Sequence, residues 1–215
     1  MNIQDNVLKH YLQKVYFFLG TPCGGKSTTA RALGKRLGLP VYGADERFSR
    51  HLKASDPSFQ PVMNKRFQNA DEFFGRSVAE YEGWLRQNAR EQLDFILLDL
   101  IRLSKDGPIL CDGNLTLEEA IRLTEPSRCV FLIRDPHNLA EEYARRPDHR
   151  DFCEYLNSAS DPEAAKRTVN ETLLALNERE YHAVKESSFF WLERSPDRGV
   201  EETVALVAAH FGLTE

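Results

Sequence analysis

The sequence predicts an α/β protein: a five-stranded, all-parallel sheet with helices on both faces. Three observations carry this. Five short apolar runs alternate with longer amphipathic stretches, the pattern of strands joined by crossover helices. The first run enters a glycine-rich turn that opens directly into an amphipathic segment. The chain has 215 residues, 41% hydrophobic and 28% charged, which is enough to bury one complete core.

The elements follow in order. A short helix is expected near residues 3–13. Strand one is VYFFL, 15–19, and the next helix runs to about 37, where Gly38 stops it. Leu39–Tyr42 is a short second strand, and Asp45 begins a polar helix. Residues 56–61 form a loop, and 62–106 read as mostly helical, with a bend near 69–71 and an interior Gly83. Asp106-Gly107-Pro108 punctuates the chain before strand three, 109–111. Thr116 and Glu119 form a capping box for a helix to about 124. Strand four is 128–133, Pro136 opens the next helix, and 147–160 read as polar and irregular. Asp161-Pro162 starts a long helix to about 186, strand five is 188–192, and the last helix is 199–211.

The turn after strand one carries the chemistry. Residues 15–27 read VYFFLGTPCGGKS, so Gly20 is followed at the right spacing by Gly25-Lys26-Ser27. Strand, glycine-rich turn and helix N-terminus in that order make an anion cradle from backbone N–H groups, helped by the helix dipole. Gly20, Thr21, Pro22, Cys23, Gly24, Gly25, Lys26, Ser27 and Thr28 are therefore candidate phosphate-binding residues. Lys26 adds a full charge, and the Ser27 hydroxyl suits Mg²⁺. The plainer alternative is a strand-to-helix turn whose glycines only permit left-handed geometry.

Ligands in open parallel sheets bind beyond the carboxyl ends of the strands, where Gly20, Asp45, Asp112 and Arg134 all lie. Asp112 follows strand three and is a candidate Mg²⁺ ligand, or else half of a turn pair with Gly113. Asp45 follows strand two. It is either a helix N-cap, or a group that orients or deprotonates an acceptor hydroxyl, with Glu46 as a weaker candidate. Arg47 and Arg50 sit one turn apart after it, and Arg145, Arg146 and Arg150 surround the break at Pro147. Guanidinium groups stabilise the charge that spreads over a moving phosphoryl group, although solvated helix faces also carry such residues. Phe67, Phe73, Phe74, Tyr81 and Trp84 fall at helical spacing and read as core before pocket.

Composition narrows the partners. A net charge of −5, from 28 Lys+Arg against 33 Asp+Glu, argues against general nucleic-acid binding. No apolar run reaches the length of a membrane span, and the N-terminus lacks a signal-peptide pattern. Cys23, Cys111, Cys129 and Cys153 show no C-x-x-C or zinc spacing, which fits a reducing cytoplasm. A monomer or homodimer is expected.

In motif order the chain resembles the nucleoside-monophosphate-kinase and shikimate-kinase branch of P-loop kinases. Gly20–Ser27 resembles the phosphate loop of that branch, and Gly43-Ala44-Asp45 with Arg47 and Arg50 its acceptor-binding segment. Ile109–Ala120 is similar to the strand ending in Asp-Gly, and Arg145-Arg146-Pro147 to the lid. Asp161–Arg167 resembles the post-lid helix, Arg179 with Tyr181 an acceptor-contacting helix, and Ser195–Val204 the loop beside adenine. The resemblance implies a P-loop three-layer sandwich in one domain, with an acceptor-binding insert near 46–105 and a lid near 145–160. It also implies an ATP- and Mg²⁺-dependent kinase acting on a small-molecule acceptor, shikimate-kinase-like or nucleotide-kinase-like. In that reading Lys26 holds the β- and γ-phosphates, Ser27 and Asp112 position Mg²⁺, and Asp45 serves the acceptor. Arg145 and Arg146 act at the γ-phosphate, and Arg47, Arg50 and Arg179 hold the acceptor. The alternatives are a non-catalytic ATP-binding regulator, or a kinase for an antibiotic or a nucleic-acid 5′ hydroxyl.

Overall fold

The structure is a computed structural model that describes residues 3–139 and 149–213. Its sheet holds β1 (Val15–Leu19), β2 (Val41–Gly43), β3 (Ile109–Asp112), β4 (Cys129–Ile133) and β5 (Phe190–Glu193). All pairs are parallel, and the order across the sheet is β2-β3-β1-β4-β5. The predicted α/β class and five-strand parallel sheet are observed. Because β3 lies beside β1, with Phe18 opposite Asp112 in register, strand three ends next to the glycine-rich turn.

Alternation along the central strands fills two separate cores. Val15, Phe17 and Leu19 of β1, with Phe131 and Ile133 of β4, face one layer. Phe18 of β1, with Val130 and Leu132 of β4, faces the other. The first layer is covered by α1 (Asp5–Tyr11), α5 (Val78–Leu103), α6 (Leu117–Leu123) and α8 (Pro162–Glu186). The second is covered by α2 (Lys26–Leu37) and α9 (Val200–Phe211). Phe17, Phe18, Leu19, Leu33 and Leu110 are completely buried, and each contributes about 2 kcal/mol by leaving water.

Local signals set the boundaries. Gly38, at φ 65°, ends α2 with its N–H and that of Leu39 on the Gly34 carbonyl. The predicted box forms at the start of α6, where Thr116 accepts from the Glu119 N–H and Glu119 accepts in return. Asp161 caps α8, with Pro162 at its first position. Cys111 and Cys129 are buried in their strands as free thiols, as read from the sequence.

Between β2 and β3 lie α3 (Ala44–Ala54), α4 (Ala70–Phe74) and α5. Here the sequence reading needs correction. Residues 62–69 are turns and extended chain, not helix. The backbone N–H groups of Val62 and Met63 are taken instead by the buried Glu91 carboxylate of α5, so a side chain replaces the helical partner. The helical stretch is interrupted again at 75–77, where Ser77 starts α5 with a capping box to Glu80.

Residues 150–157, expected to be irregular, form α7 (Arg150–Asn157). Its apolar side docks on α4, with Phe74 against Phe152 and Tyr155. Of the aromatics of the insert, Phe74 and Tyr81 are core, as read, and the half-buried Phe73 and Trp84 pack against them; Phe73 meets Phe67, Phe74, Tyr81 and Trp84 edge-on. The Arg76 guanidinium lies 4.4–4.8 Å from the ring centres of Phe67, Phe73, Tyr81 and Trp84, in cation–π contact with all four. Among the described residues, no helix is long and apolar enough to cross a membrane.

Candidate active site at the carboxyl ends of the strands

The turn between β1 and α2 is held in a shape that side chains cannot supply. Gly20 and Gly25 have φ of 114° and 100°, and Cys23, at φ 58°, also adopts the left-handed region. A Cβ on Gly20 or Gly24 would run into the Leu132 carbonyl of β4, so the loop lies directly against the neighbouring strand. Thr21 fastens it there, since its Oγ1 accepts from the Arg134 N–H at 2.7 Å. Gly25 caps α2 without any side-chain hydrogen bond. The first N–H groups of that helix therefore face the loop with no side-chain cap.

Lys26 is almost buried, and its ammonium donates to the Gly20 carbonyl at 3.0 Å and the Thr21 carbonyl at 2.9 Å. The lysine thus braces the loop in which it sits. Beside it, the Ser27 hydroxyl hydrogen-bonds the Asp112 carboxylate at the end of β3. Burial pushes the Asp112 carboxyl up from its ordinary range. The Ser27 hydrogen bond and the Lys26 charge pull it back, and nearby Asp45 pushes it up again. A hydroxyl and one carboxylate side by side are hard oxygen donors, which fit Mg²⁺ completed by phosphate oxygens and water. No cluster of three or more His, Cys, Asp or Glu occurs among the described residues, so an all-protein metal cage is not what these donors build.

These groups open into one cleft of about 860 Å³, a size that suits a nucleotide. One end is formed by residues 23–29 of the loop and α2. Across from it stand Arg194, Ser195, Arg198 and Thr203, from the segment after β5. Arg194 ties the two sides by donating to the Cys23 carbonyl at 2.9 Å, and Arg198 donates to the Glu193 carbonyl. Apolar Leu132, Leu192 and Val200 also line the cleft.

The other end carries Asp45 and Glu46. Asp45 is not the N-cap of α3, which corrects one of the two readings of it. β2 runs straight into the helix, Gly43 is the cap, and position 45 already lies in the first turn. The carboxylate is exposed and accepts from the Asn114 amide at 2.6 Å. Glu46 pairs with Arg31 of α2 at 2.7 Å.

Sequence reasoning did not single out Asn114, Arg31 or Arg194. Arg31 carries a faint signal, because it falls on the face of α2 one turn beyond Ser27. Asn114 carries none, since its role depends on β3 ending beside α3.

The remaining candidates divide. Arg47 lies over the Tyr42 ring at 5.4 Å, and Arg50 reaches Asp99 at 3.7 Å. Neither lines the cleft. Asp99 belongs to a buried cluster with Tyr42 and His51, in which His51 Nε2 is 3.3 Å from the carboxylate and Gln92 is 3.2 Å from His51 Nδ1. Gln92 also donates to the Ala44 carbonyl at 3.0 Å, pinning the start of α3. Arg179 is exposed on α8 and does not line the cleft. Arg150 pairs with Glu154 at 3.0 Å. Arg145 and Arg146 lie outside the described residues.

No protein-family model matches the sequence, and no curated protein sequence does either. Solved structures with a similar course of chain include three kinases. Shikimate kinase from Acinetobacter baumannii is 19% identical at a TM-score of 0.47, over 93% of this chain and 92% of that one. Dephospho-CoA kinase from Campylobacter jejuni is 16% identical at 0.45, over 92% and 98%. Shikimate kinase from Aquifex aeolicus is 17% identical at 0.41, over 92% and 96%. Likenesses of this degree do not identify a substrate, and the fold is read from the strand order of this chain itself.

Proposed function

We propose that this protein is an ATP-dependent kinase that moves the γ-phosphate of ATP to a hydroxyl of a small-molecule acceptor. The observation that supports it is the convergence of three groups on one cleft: the loop braced by Lys26, the Ser27–Asp112 pair beside it, and Asp45 near Asp112.

In this reading the backbone N–H groups of residues 23–27 bind the polyphosphate. Lys26 exchanges its bonds to Gly20 and Thr21 for phosphate oxygens. Ser27 and Asp112 hold Mg²⁺, which neutralises charge on the phosphates when bound. Arg194 and Arg198 flank the nucleotide from the far side of the cleft. Asp45, held by Asn114, takes the proton of the acceptor hydroxyl as its oxygen bonds to the γ-phosphorus. The bond from that phosphorus to the bridging oxygen breaks, and ADP leaves with the electron pair. Gly20 and Gly24 let the loop lie against β4, so in this reading the cradle exists before substrate arrives, which is where electrostatic catalysis gains most.

The test is ADP formation from Mg-ATP across an acceptor panel, with wild type and Lys26→Ala. Acceptor-dependent ADP release by wild type alone, with the melting curve of the variant intact, is the expected result. Unchanged turnover by Lys26→Ala removes the proposed site. Mg-ATP binding without transfer to any acceptor favours a regulatory nucleotide-binding protein.

A further inference from the structure

We infer that His51 is a positioning residue for Asp45: with its imidazole neutral and the proton on Nε2, it holds Gln92 in the orientation that fastens the first turn of α3. The consequence for transfer rests on the kinase reading above, while the relay itself is a property of the fold. His51 is 3% exposed, and no step of the proposed transfer uses it. Its ring lies flat against Phe95 of α5, with centres 5.6 Å and planes 17° apart, so its two nitrogens face fixed partners.

Those partners decide where the proton sits. The Gln92 side-chain nitrogen is 3.0 Å from the Ala44 carbonyl and 3.2 Å from His51 Nδ1. A carbonyl only accepts, so the Ala44 oxygen requires the nitrogen of the Gln92 amide on that side. Both hydrogens of that nitrogen are then committed, one to Ala44 and one to Nδ1, and Nδ1 must be a bare acceptor. The proton of the neutral ring therefore lies on Nε2, 3.3 Å from the Asp99 carboxylate. From β2 the Tyr42 hydroxyl stands 3.4 Å from Nε2 and 3.4 Å from the same carboxylate oxygen. Burial, with the Asp99 charge beside it, pushes that hydroxyl up, so it stays a donor. Arg50 and Arg102 reach the other Asp99 oxygen at 3.7 Å.

A second proton on the ring would enter at Nδ1 and set two donors face to face. The Gln92 amide would have to turn, and its nitrogen would leave the Ala44 carbonyl. That carbonyl belongs to the peptide that carries the Asp45 N–H, and Gly43 before it lies opposite Asp112 in the sheet. Loss of the Gln92 bond frees the turn that sets Asp45 against Asn114 and near Asp112. A reacting group misplaced by about 1 Å can cost about a hundredfold in rate.

The experiment uses the intact wild-type chain and Gln92→Leu, whose melting curves are compared first. Nitrogen NMR of the imidazole at neutral pH should place the proton on Nε2. On acidification the Asp45 amide of the wild type should shift with the midpoint of the His51 ring. In Gln92→Leu the ring should still titrate while the Asp45 amide loses that step. Transfer by Gln92→Leu should be at least about tenfold lower, with Mg-ATP affinity unchanged. A proton on Nδ1 at neutral pH, or an Asp45 amide that ignores the titration of His51, overturns the inference and leaves the kinase reading standing. Unchanged transfer by folded Gln92→Leu does the same. If Gln92→Leu does not fold, the wild-type spectra decide alone. The expected spectra without transfer to any acceptor overturn the kinase reading and keep the relay.

Discussion

The two ends of the cleft are built by different means. At the phosphate end the backbone is the binding surface. Its shape follows from eight consecutive residues, three of them glycines, and from one lysine that bonds its own loop. At the acceptor end the surface is made of side chains from α2, α3 and the β3–α6 connection, brought together only by the fold. In the proposed reading the first end recognises the polyphosphate that nucleoside triphosphates share, and the second what differs between acceptors. A change at the first should therefore act on nucleotide binding and transfer together, and a change at the second on transfer alone.

Lys26→Ala carries the largest expected effect. It removes the charge proposed to pass from the Gly20 and Thr21 carbonyls to the phosphates, so transfer should fall at least about a hundredfold and Mg-ATP binding should weaken with it. Steady-state rates and a calorimetric titration read the two losses. Gly24→Ala tests the same end through the backbone. Its Cβ cannot avoid the Leu132 carbonyl, and the chain must shift at a cost of about 3 kcal/mol. The melting temperature should fall by roughly 6–12 °C, and an unchanged melting curve would mean that the loop does not press on β4.

Asp45→Asn separates the two ends. Transfer should fall about a hundredfold, the scale of general-base catalysis, with Mg-ATP affinity within about twofold of wild type, because in the proposed reading Asp45 serves the acceptor and not the nucleotide. Equal losses in both measurements would erase the distinction between the ends.

A smaller effect concerns pH. Burial raises the Asp112 carboxyl above its ordinary range, and Mg²⁺ requires it ionised. Mg-ATP affinity should therefore fall on acidification at a higher pH than an ordinary aspartate would set. The sign for stability is opposite, because an acid raised in the folded state favours folding when protonated. That contribution is present at low pH and lost as pH rises through the raised value. Asp112→Asn should thus gain stability relative to wild type as pH rises, as read by paired melting curves. The smallest effect lies far from either end. Gly83, inside α5, has open space around its Cα, so Gly83→Ala should raise stability by about 0.5–1 kcal/mol without altering transfer.

What the sequence showed and hid follows the same division. The loop, the Thr116–Glu119 box and the Asp161-Pro162 helix start are local in sequence, and each formed where it was read. Residues 62–69 were misread as helix because Glu91, almost thirty positions away, captures their backbone donors. The helix α7 was hidden because Arg150, Asp151 and Glu154 are interleaved with the Phe152, Tyr155 and Leu156 that dock it. Asp45 read equally well as a cap, because nothing in the sequence says that β2 joins α3 without a linker. Asn114 and the pairing of Arg31 with Glu46 arise only where separate strands and helices end together.

The central claim is that the main-chain amides at the start of α2 wrap the polyphosphate of a nucleotide. Amide-resolved NMR during a titration with Mg-ATP tests it most directly. The account predicts large, saturable shifts for the amides of Gly24, Gly25, Lys26, Ser27 and Thr28, with Gly83 and Gly107 unmoved. Amides 24–28 that stay in place while the nucleotide reaches millimolar concentration would contradict it.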